Sequence, residues 1–146
     1  MKIRILIDEK HEPDQVTLVT SRMTDEIKQL VRDFNSRILI ASDRGNEFPL
    51  NLDDVLFFDT GDAVVHAHLV HTSYPTKYRL YELEALLPSN FIRVSKSSIV
   101  NIKKIKSIQR GISSIREIEF HSSQKSVYIS RKYYPLFKDK MEERAI

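Results

Sequence analysis

Residues 91–141 carry the pattern that most constrains the fold, because short runs of alternating apolar and polar residues are separated there by turn-forming residues. The stretch reads FIRVSKSSIVNIKKIKSIQRGISSIREIEFHSSQKSVYISRKYYPLFKDKM. Alternation with a period of two is typical of half-buried strands, and closely spaced turns favour short antiparallel strands over long helices. We therefore predict a mainly β fold for this part of the chain.

Positive charge is concentrated in the same stretch. Residues 91–140 contain 12 Lys and Arg residues against three acidic ones, whereas the formal net charge of the whole chain is only +3. The rest of the chain is therefore net acidic. Charge segregated in this way predicts a surface that faces a polyanion, and it favours nucleic acid as the partner.

Residues 1–48 are predicted to form a small β-β-α-β module, with Ser21 as the helix N-cap. A module of this size rarely holds enough core to be stable alone, so its apolar residues pack on its own strands or on a second copy. Two interpretations stay open, a structural addition and a dimerisation module. The predicted elements are strands at Lys2–Ile7, Val16–Val19 and Arg37–Ala41 and an amphipathic helix at Arg22–Phe34.

Residues 49–146 are predicted to form the second domain, with Pro49–Asp54 as the boundary. Pro135 predicts that the last helix, capped by Ser130, is kinked or begins late. The other predicted elements are strands at Val55–Phe58 and Ala63–Val70 joined by a turn at Asp59–Asp62, a loop at 71–76, a helix from Arg79 to Leu87, and strands at Phe91–Val94, Ile99–Ile108, Ile115–Phe120 and Lys125–Ile129.

Several functional classes lack sequence support. The chain has no Cys and only three Gly, so it offers no thiol nucleophile and no glycine-rich phosphate loop. No apolar run approaches the roughly 20 residues that span a bilayer. His66 and His68 point to one strand face and could bind a metal, but no acidic partner at a supporting spacing is evident. We expect a cytoplasmic protein that is not an enzyme and uses no cofactor, metal or small-molecule substrate.

Two segments, FIRVSKSSIVN at 91–101 and VYISRKYY at 127–134, resemble the signature of the LytTR DNA-binding domain family. The family pattern is Phe-x-Arg-x-His-x-Ser-x-(Ile/Val)-Val-Asn, followed by Ser-Arg-x-Tyr near the C-terminus. DVLFFDTGDAVVHAHL at 54–69 is similar to the family's opening hairpin, and LYELEALLPSNF at 80–91 to its helix. The resemblance covers about residues 52–146. It implies an elongated domain of short antiparallel strands whose loops read two successive major grooves.

The resemblance also implies which residues reach DNA. Lys96 follows the motif's His position, which Ser95 occupies here, and Ser97 lies in the same polar segment. Arg131 or Lys132 corresponds to the basic residue of the second segment. The first hairpin supplies a third contact around Gly61, at Asp62 and Ala63, although the Asp62 carboxylate would repel phosphate. Asn101 is predicted to be a buried hydrogen-bonding residue.

The basic stretch itself adds Lys103 and Lys104 as candidate DNA contacts, because they are predicted to lie near the ends of elements. We predict a sequence-specific, double-stranded DNA-binding transcriptional regulator that acts as a homodimer on repeated promoter sites. The chain resembles short family members without a receiver domain, for which control by a companion membrane protein is implied.

Two alternatives stay open. One is an RNA-binding regulator, although base stacking needs exposed aromatic residues and most aromatics here are predicted to be core. The other is a protein-interaction adaptor that has kept the fold and lost its DNA contacts. The aromatic residues predicted to be core are Phe57, Phe58, Phe91, Phe120 and Tyr128.

Overall fold

The structure is a computed structural model that describes residues 4–11, 16–35, 39–111 and 115–143. The chain divides into two compact units, Met1–Phe34 and Asn35–Ile146. Antiparallel strands dominate, which confirms the mainly β fold class. The elements are α1 (Asp25–Asn35), β1 (Leu39–Asp43), β2 (Asn46–Leu50), β3 (Phe57–Gly61), β4 (Val64–His68), β5 (Ser73–Pro75), α2 (Leu80–Leu86), β6 (Phe91–Arg93), β7 (Ser98–Asn101), β8 (Ile105–Arg110), β9 (Arg116–Phe120), β10 (Ser126–Ile129) and α3 (Tyr134–Glu143).

The first unit contains α1 and two irregular stretches. Residues 4–8 and 16–20, where two strands were predicted, form no regular secondary structure. Strands need hydrogen-bonding neighbours, and these two stretches pair with no strand in the described parts of the chain. Thr24, rather than Ser21, caps the helix, because its Oγ accepts a hydrogen bond from the Ile27 N–H at 3.2 Å. Apolar side chains remain exposed here, including Ile5, Leu6, Ile7 and Val19.

The hairpin formed by β1 and β2 belongs to the second unit, so the chain divides before this hairpin rather than at 49–54. The side chains of Leu39, Ala41 and Leu50 are buried in a hydrophobic core of that unit. Ala41 also forms a β-bridge with Thr76 next to β5. Pro49 lies inside β2 rather than between domains, and a two-stranded hairpin tolerates it because an edge strand leaves some N–H groups unused.

A five-stranded antiparallel sheet with the order β5-β4-β3-β7-β6 forms the centre of the second unit. Phe57 pairs with Val100 and Phe58 with Ile99. Because neighbouring residues of a strand point to opposite faces, the Phe57–Val100 pair lies on one face of the sheet and the Phe58–Ile99 pair on the other. This explains the continuous apolar runs in β3 and β7, which a strand with one solvated face would not show.

The two faces of this sheet bury separate hydrophobic cores. Phe58 and Ile99 join the hairpin β1–β2 and α2 in the first core. Phe57 and Val100 join a three-stranded sheet, β10-β9-β8, and α3 in the second. The second unit is thus a layered structure with the five-stranded sheet in the middle. Phe137 of α3 is fully buried in the second core, which anchors the C-terminal helix.

Helix α3 begins at Tyr134, one of the two arrangements that Pro135 predicted. Proline is tolerated there because the first turn of a helix has no internal partners for its N–H groups. Ser130 lies four residues before α3, and its Oγ accepts a hydrogen bond from the Tyr133 N–H at 3.3 Å. No helix in the described ranges is long and apolar enough to cross a membrane.

Candidate nucleic-acid interface

The connection between β6 and β7 forms a short exposed loop at one end of the five-stranded sheet. The Val94 N–H donates to the Ser98 carbonyl at 3.0 Å and closes the loop. Within it, the Ser97 N–H donates to Ser95 Oγ at 3.2 Å. Lys96 and Ser97 are exposed and Ser95 is half-buried. The three predicted contact residues of this loop therefore lie together.

The hairpin between β3 and β4 turns at the same end of the sheet. The two turn residues are Asp62 and Ala63, with φ of 51° and 63°, so the turn lies later than the predicted Asp59–Asp62 and Gly61 belongs to β3. Two consecutive positive φ values are typical of the type I′ turn that joins twisted strands. The Thr60 N–H donates to the Ser97 carbonyl at 2.9 Å, which ties this hairpin to the β6–β7 loop.

The segment that follows β10 completes this end of the sheet. The Ser130 N–H donates to the Val94 carbonyl at 2.9 Å, and Arg131 and Lys132 come next and are exposed. A groove of about 620 Å³ separates the β6–β7 loop from this segment. We call this region, comprising residues 62–63, 95–97 and 130–133, the loop end. Its groove is lined by Asp59, Ser95, Ser97, Ser98, Ile115, Ser126, Val127, Tyr128, Ile129, Ser130 and Arg131.

Lys96 and Lys132 are the basic side chains of the loop end that remain available to an anion in the described structure. Ion pairs within the described residues join Glu47 to Lys77, Glu84 to Arg93 and Glu142 to Lys138, and a close polar contact joins Asp59 to His68. None of these pairs engages Lys96 or Lys132. Charges that are exposed and unpaired can exchange counterions for phosphate, which is the electrostatic basis of nucleic-acid affinity.

Lys103 and Lys104 lie elsewhere. They belong to a 3-10 turn, Ile102–Lys104, that follows β7, whereas the β6–β7 loop precedes it. Strand β7, which separates the β6–β7 loop from this 3-10 turn, spans four residues, or roughly 10 Å. The structure therefore groups Ser95, Lys96, Ser97, Arg131 and Lys132 with the Asp62–Ala63 turn and separates Lys103 and Lys104 from them.

Asn101 organises this opposite end, which we call the asparagine end (residues 51–55, 90 and 101–104). Its side chain is 1% exposed. Its Nδ2 donates to the Val55 carbonyl at 2.9 Å, and its Oδ1 accepts from Asn90 Nδ2 at 2.8 Å and from the Lys103 N–H at 3.1 Å. Asn101 is thus the buried hydrogen-bonding residue that was predicted.

The histidines of β4 do have an acidic neighbour, contrary to the expectation from spacing. His68 Nε2 lies 2.7 Å from Asp59 Oδ1 on the paired strand β3, and the ring stacks on Phe57 with centroids 4.3 Å apart. Cross-strand pairing brings these residues together, and no sequence spacing reveals it. Among the described residues, no group of three or more His, Cys, Asp or Glu side chains could hold a metal ion.

Three residues of the second unit, Tyr128, Lys125 and Arg93, have surroundings that the sequence did not predict. Tyr128 is 61% exposed at the groove instead of lying in the core, because the alternation in β10 turns it outward. Lys125 donates to the Thr72 carbonyl at 2.7 Å, and burial lowers the pKa of its ammonium group while Asp59 acts in the opposite direction. Arg93 contacts the β6–β7 loop itself. The only sequence signal for this role was that Arg93 occupies the Arg position of the family pattern Phe-x-Arg-x-His.

Exposed cationic loops at one end of a sheet of short antiparallel strands suit a polyanionic ligand such as nucleic acid. Residues 45–142 match the sequence profile of the LytTr DNA-binding domain, and the chain therefore belongs to the LytTR DNA-binding domain family. The structure is similar to the LytTr DNA-binding domain of a methyl-accepting/DNA response regulator from Bacillus cereus, with a TM-score of 0.66 and 25% identity over 71% of this chain and 95% of that one.

Relatives in Staphylococcus aureus are also similar to this chain, one of them over nearly its whole length. An uncharacterized HTH-type transcriptional regulator of strain MSSA476 is 28% identical over 148 residues, covering 97% of this chain and 98% of the relative. Another, from strain MRSA252, is 30% identical over 105 residues, covering 69% of this chain and 71% of the relative. The similarity to the first relative includes the N-terminal unit as well as the LytTR domain. The family is one of DNA-binding regulators, not of enzymes.

Proposed function

We propose that the chain is a transcriptional regulator that reads specific double-stranded DNA with its loop end. The observation that carries this proposal is the convergence of the β6–β7 loop, the segment after β10 and the β3–β4 turn at one end of the sheet. Lys96 and Lys132 are exposed there and belong to no ion pair of the described structure. Lysine and arginine supply phosphate affinity, and the side chains at loop tips read base edges in the major groove.

A single domain of this size covers one half-site, so we propose that two copies bind repeated half-sites in successive major grooves. The N-terminal unit is our candidate for the contact between copies. Ile5, Leu6 and Ile7 are 82%, 90% and 87% exposed. Exposing three consecutive aliphatic side chains to water is unfavourable, and packing against a second copy would bury them.

Selection of bound duplexes from a random pool tests the proposal with the full-length protein. We expect an enriched sequence containing two half-sites separated by about one helical turn, roughly 10 base pairs, or a multiple of it. Affinity for the selected duplex should also fall steeply as salt rises, because phosphate neutralisation releases counterions. A pool without enrichment would contradict sequence-specific recognition.

The same selected duplex separates the two alternative functions. If single-stranded RNA displaces it at equal concentration, the RNA-binding alternative is supported. If the random pool yields no enriched duplex and single-stranded RNA does not bind either, the adaptor alternative is supported. The companion membrane protein that the resemblance implies stays a prediction.

Self-association is tested in the full chain by Leu6→Asp, which places a charge in the exposed aliphatic stretch. We expect sedimentation to show a weaker dimer than in the wild type. Leu136→Asp is the matched control, because Leu136 is also an exposed leucine, 51% accessible, and lies in α3 of the second unit. Equal self-association of all three proteins would remove the N-terminal unit from this role.

A further inference from the structure

Arg93 sits at the end of β6 with its side chain 16% exposed, and it points its guanidinium group into the β6–β7 loop. Its Nε donates to the Ser95 carbonyl at 2.6 Å, and its Nη2 donates to the Lys96 carbonyl. Both acceptors are main-chain groups of the loop that carries the candidate base-reading residues. A planar guanidinium can hold two carbonyls at once, which fixes their relative orientation.

The remaining contacts of Arg93 connect this loop to two other parts of the domain. Nη1 lies 3.1 Å from Glu84 Oε1, which belongs to α2 and the layer of the first core. The guanidinium carbon lies 5.9 Å from the ring centroid of Tyr133, directly after Lys132. One side chain therefore touches both segments of the loop end that bear cations.

We infer that Arg93 is the positioning residue of the interface: its guanidinium holds Lys96 and Lys132 at a fixed separation before DNA arrives. This inference rests on the function proposed above and names the residue that sets its specificity. A loop of small polar residues has many conformations, and ordering it on binding weakens affinity. Holding the loop in its bound conformation before binding reduces the conformational entropy lost on binding. This matters most where side chains must meet particular base edges.

Arg93→Lys tests this role because it keeps the positive charge and removes the planar fork. One ammonium group cannot reproduce the geometry of the two loop bonds and the Glu84 pair. We expect affinity for the selected duplex to fall at least tenfold. Affinity for an unrelated duplex should change less than threefold, because the charge that attracts phosphate is retained.

Native-state hydrogen exchange gives a second measurement that needs no DNA. We expect the amides of residues 94–97 to exchange faster in Arg93→Lys, while amides in β3, β4 and β9 keep their wild-type rates. A general acceleration across all strands would mean that Arg93 only stabilises the fold, and this outcome would overturn the inference even if the variant is partly unfolded.

Glu84→Gln is the matched control. It weakens the contact with α2 and leaves both loop carbonyls bonded to Arg93, so specific affinity should stay within threefold of the wild type. Equal losses in Glu84→Gln and Arg93→Lys would assign the effect to α2 instead of the loop.

Failure of this inference is distinguishable from failure of the proposed function. A wild-type protein without any preferred duplex defeats the proposed function, while the exchange rates of 94–97 still decide whether Arg93 holds the loop. A wild-type protein that prefers a duplex, combined with unchanged specificity and unchanged exchange in Arg93→Lys, defeats the inference alone.

Discussion

The two ends of the five-stranded sheet carry similar basic residues on different supports. At the asparagine end, a buried amide bonds three chain segments together, and Lys103 lies on a 3-10 turn whose backbone Asn101 caps. At the loop end, a charged guanidinium holds an exposed loop through two carbonyls. Neutral amides suit permanent burial, whereas a cation can stay near water and face an anionic ligand. The comparison predicts that the first end contributes mainly to stability and that the second end contributes to recognition.

Asn101→Ala should have the largest effect of any substitution considered for the two ends, and the effect should be on stability. The change removes three hydrogen bonds and leaves the buried Val55 carbonyl without this donor, so we expect the free energy of unfolding to fall by about 3 kcal/mol. Urea denaturation measures it. Asn90→Ala, which removes one of these bonds at a half-buried position, is the control and should cost less. Equally small decreases in the free energy of unfolding for Asn101→Ala and Asn90→Ala would show that the asparagine end is not a main source of stability.

Lys96→Ala and Lys132→Ala should have the next largest effect, on DNA binding and not on folding. If each side chain reaches a base edge, specific binding should weaken by about 1–3 kcal/mol per substitution. Gel-shift titration against the selected duplex measures this. Lys138→Ala removes a lysine that is already paired with Glu142 in α3, and it should bind like the wild type. Unchanged affinity in both loop-end variants would remove these residues from the interface.

Asp62→Asn should have a smaller effect in the opposite direction. Asparagine suits the positive φ of this turn, so the hairpin keeps its shape while a carboxylate near the DNA is removed. We expect binding to strengthen by about 1 kcal/mol or less at low salt, and the gain should fade as salt rises. The control is Asp43→Asn, the same change beside the β1–β2 turn. An equal gain in both variants would show only a general charge effect.

Lys103→Ala and Lys104→Ala should have the smallest effects. At the asparagine end they contribute at most general attraction to phosphate, so we expect losses of about 0.5 kcal/mol for specific and non-specific duplexes alike. The ratio of the two affinities is the informative measurement. A clear drop in that ratio for either variant would extend the reading surface to the opposite end of the sheet.

Local patterns in the sequence predicted most strands of the second unit and α2, but not β2 or β5, which lies in the predicted loop at 71–76. They could not predict which distant strands are neighbours, because pairing between distant segments leaves no trace in local periodicity. The Thr60–Ser97 hydrogen bond arises in this way. The Asp59–His68 contact lies within the predicted β3–β4 hairpin and depends on the register of its strands. The same limit explains why the strand Arg37–Ala41 was predicted to lie in the N-terminal module: Thr76, the bridge partner of Ala41, is more than 30 residues away.

Local patterns also misplaced residues whose environment depends on the register of a strand. Tyr128 was predicted to be core because aromatic residues in strands are usually buried, but its neighbours Val127 and Ile129 take the inward positions of β10. Lys103 and Lys104 stay predicted DNA contacts, because charge along the chain, and not the register of a strand, was the reason for naming them. Position relative to the ends of β7 separates them from Lys96, and only the folded topology supplies that information.

Strand β3 presents Phe57 to one core and Phe58 to the other, and this has a consequence for unfolding. Because both layers share the same backbone, neither can melt while the other stays intact. Residues 39–143 should lose both layers in a single all-or-none transition, with the same midpoint for probes placed in α2 and in α3. Substitutions at exposed residues of the loop end, such as Lys96 and Lys132, lie outside this shared strand and should leave the transition unchanged.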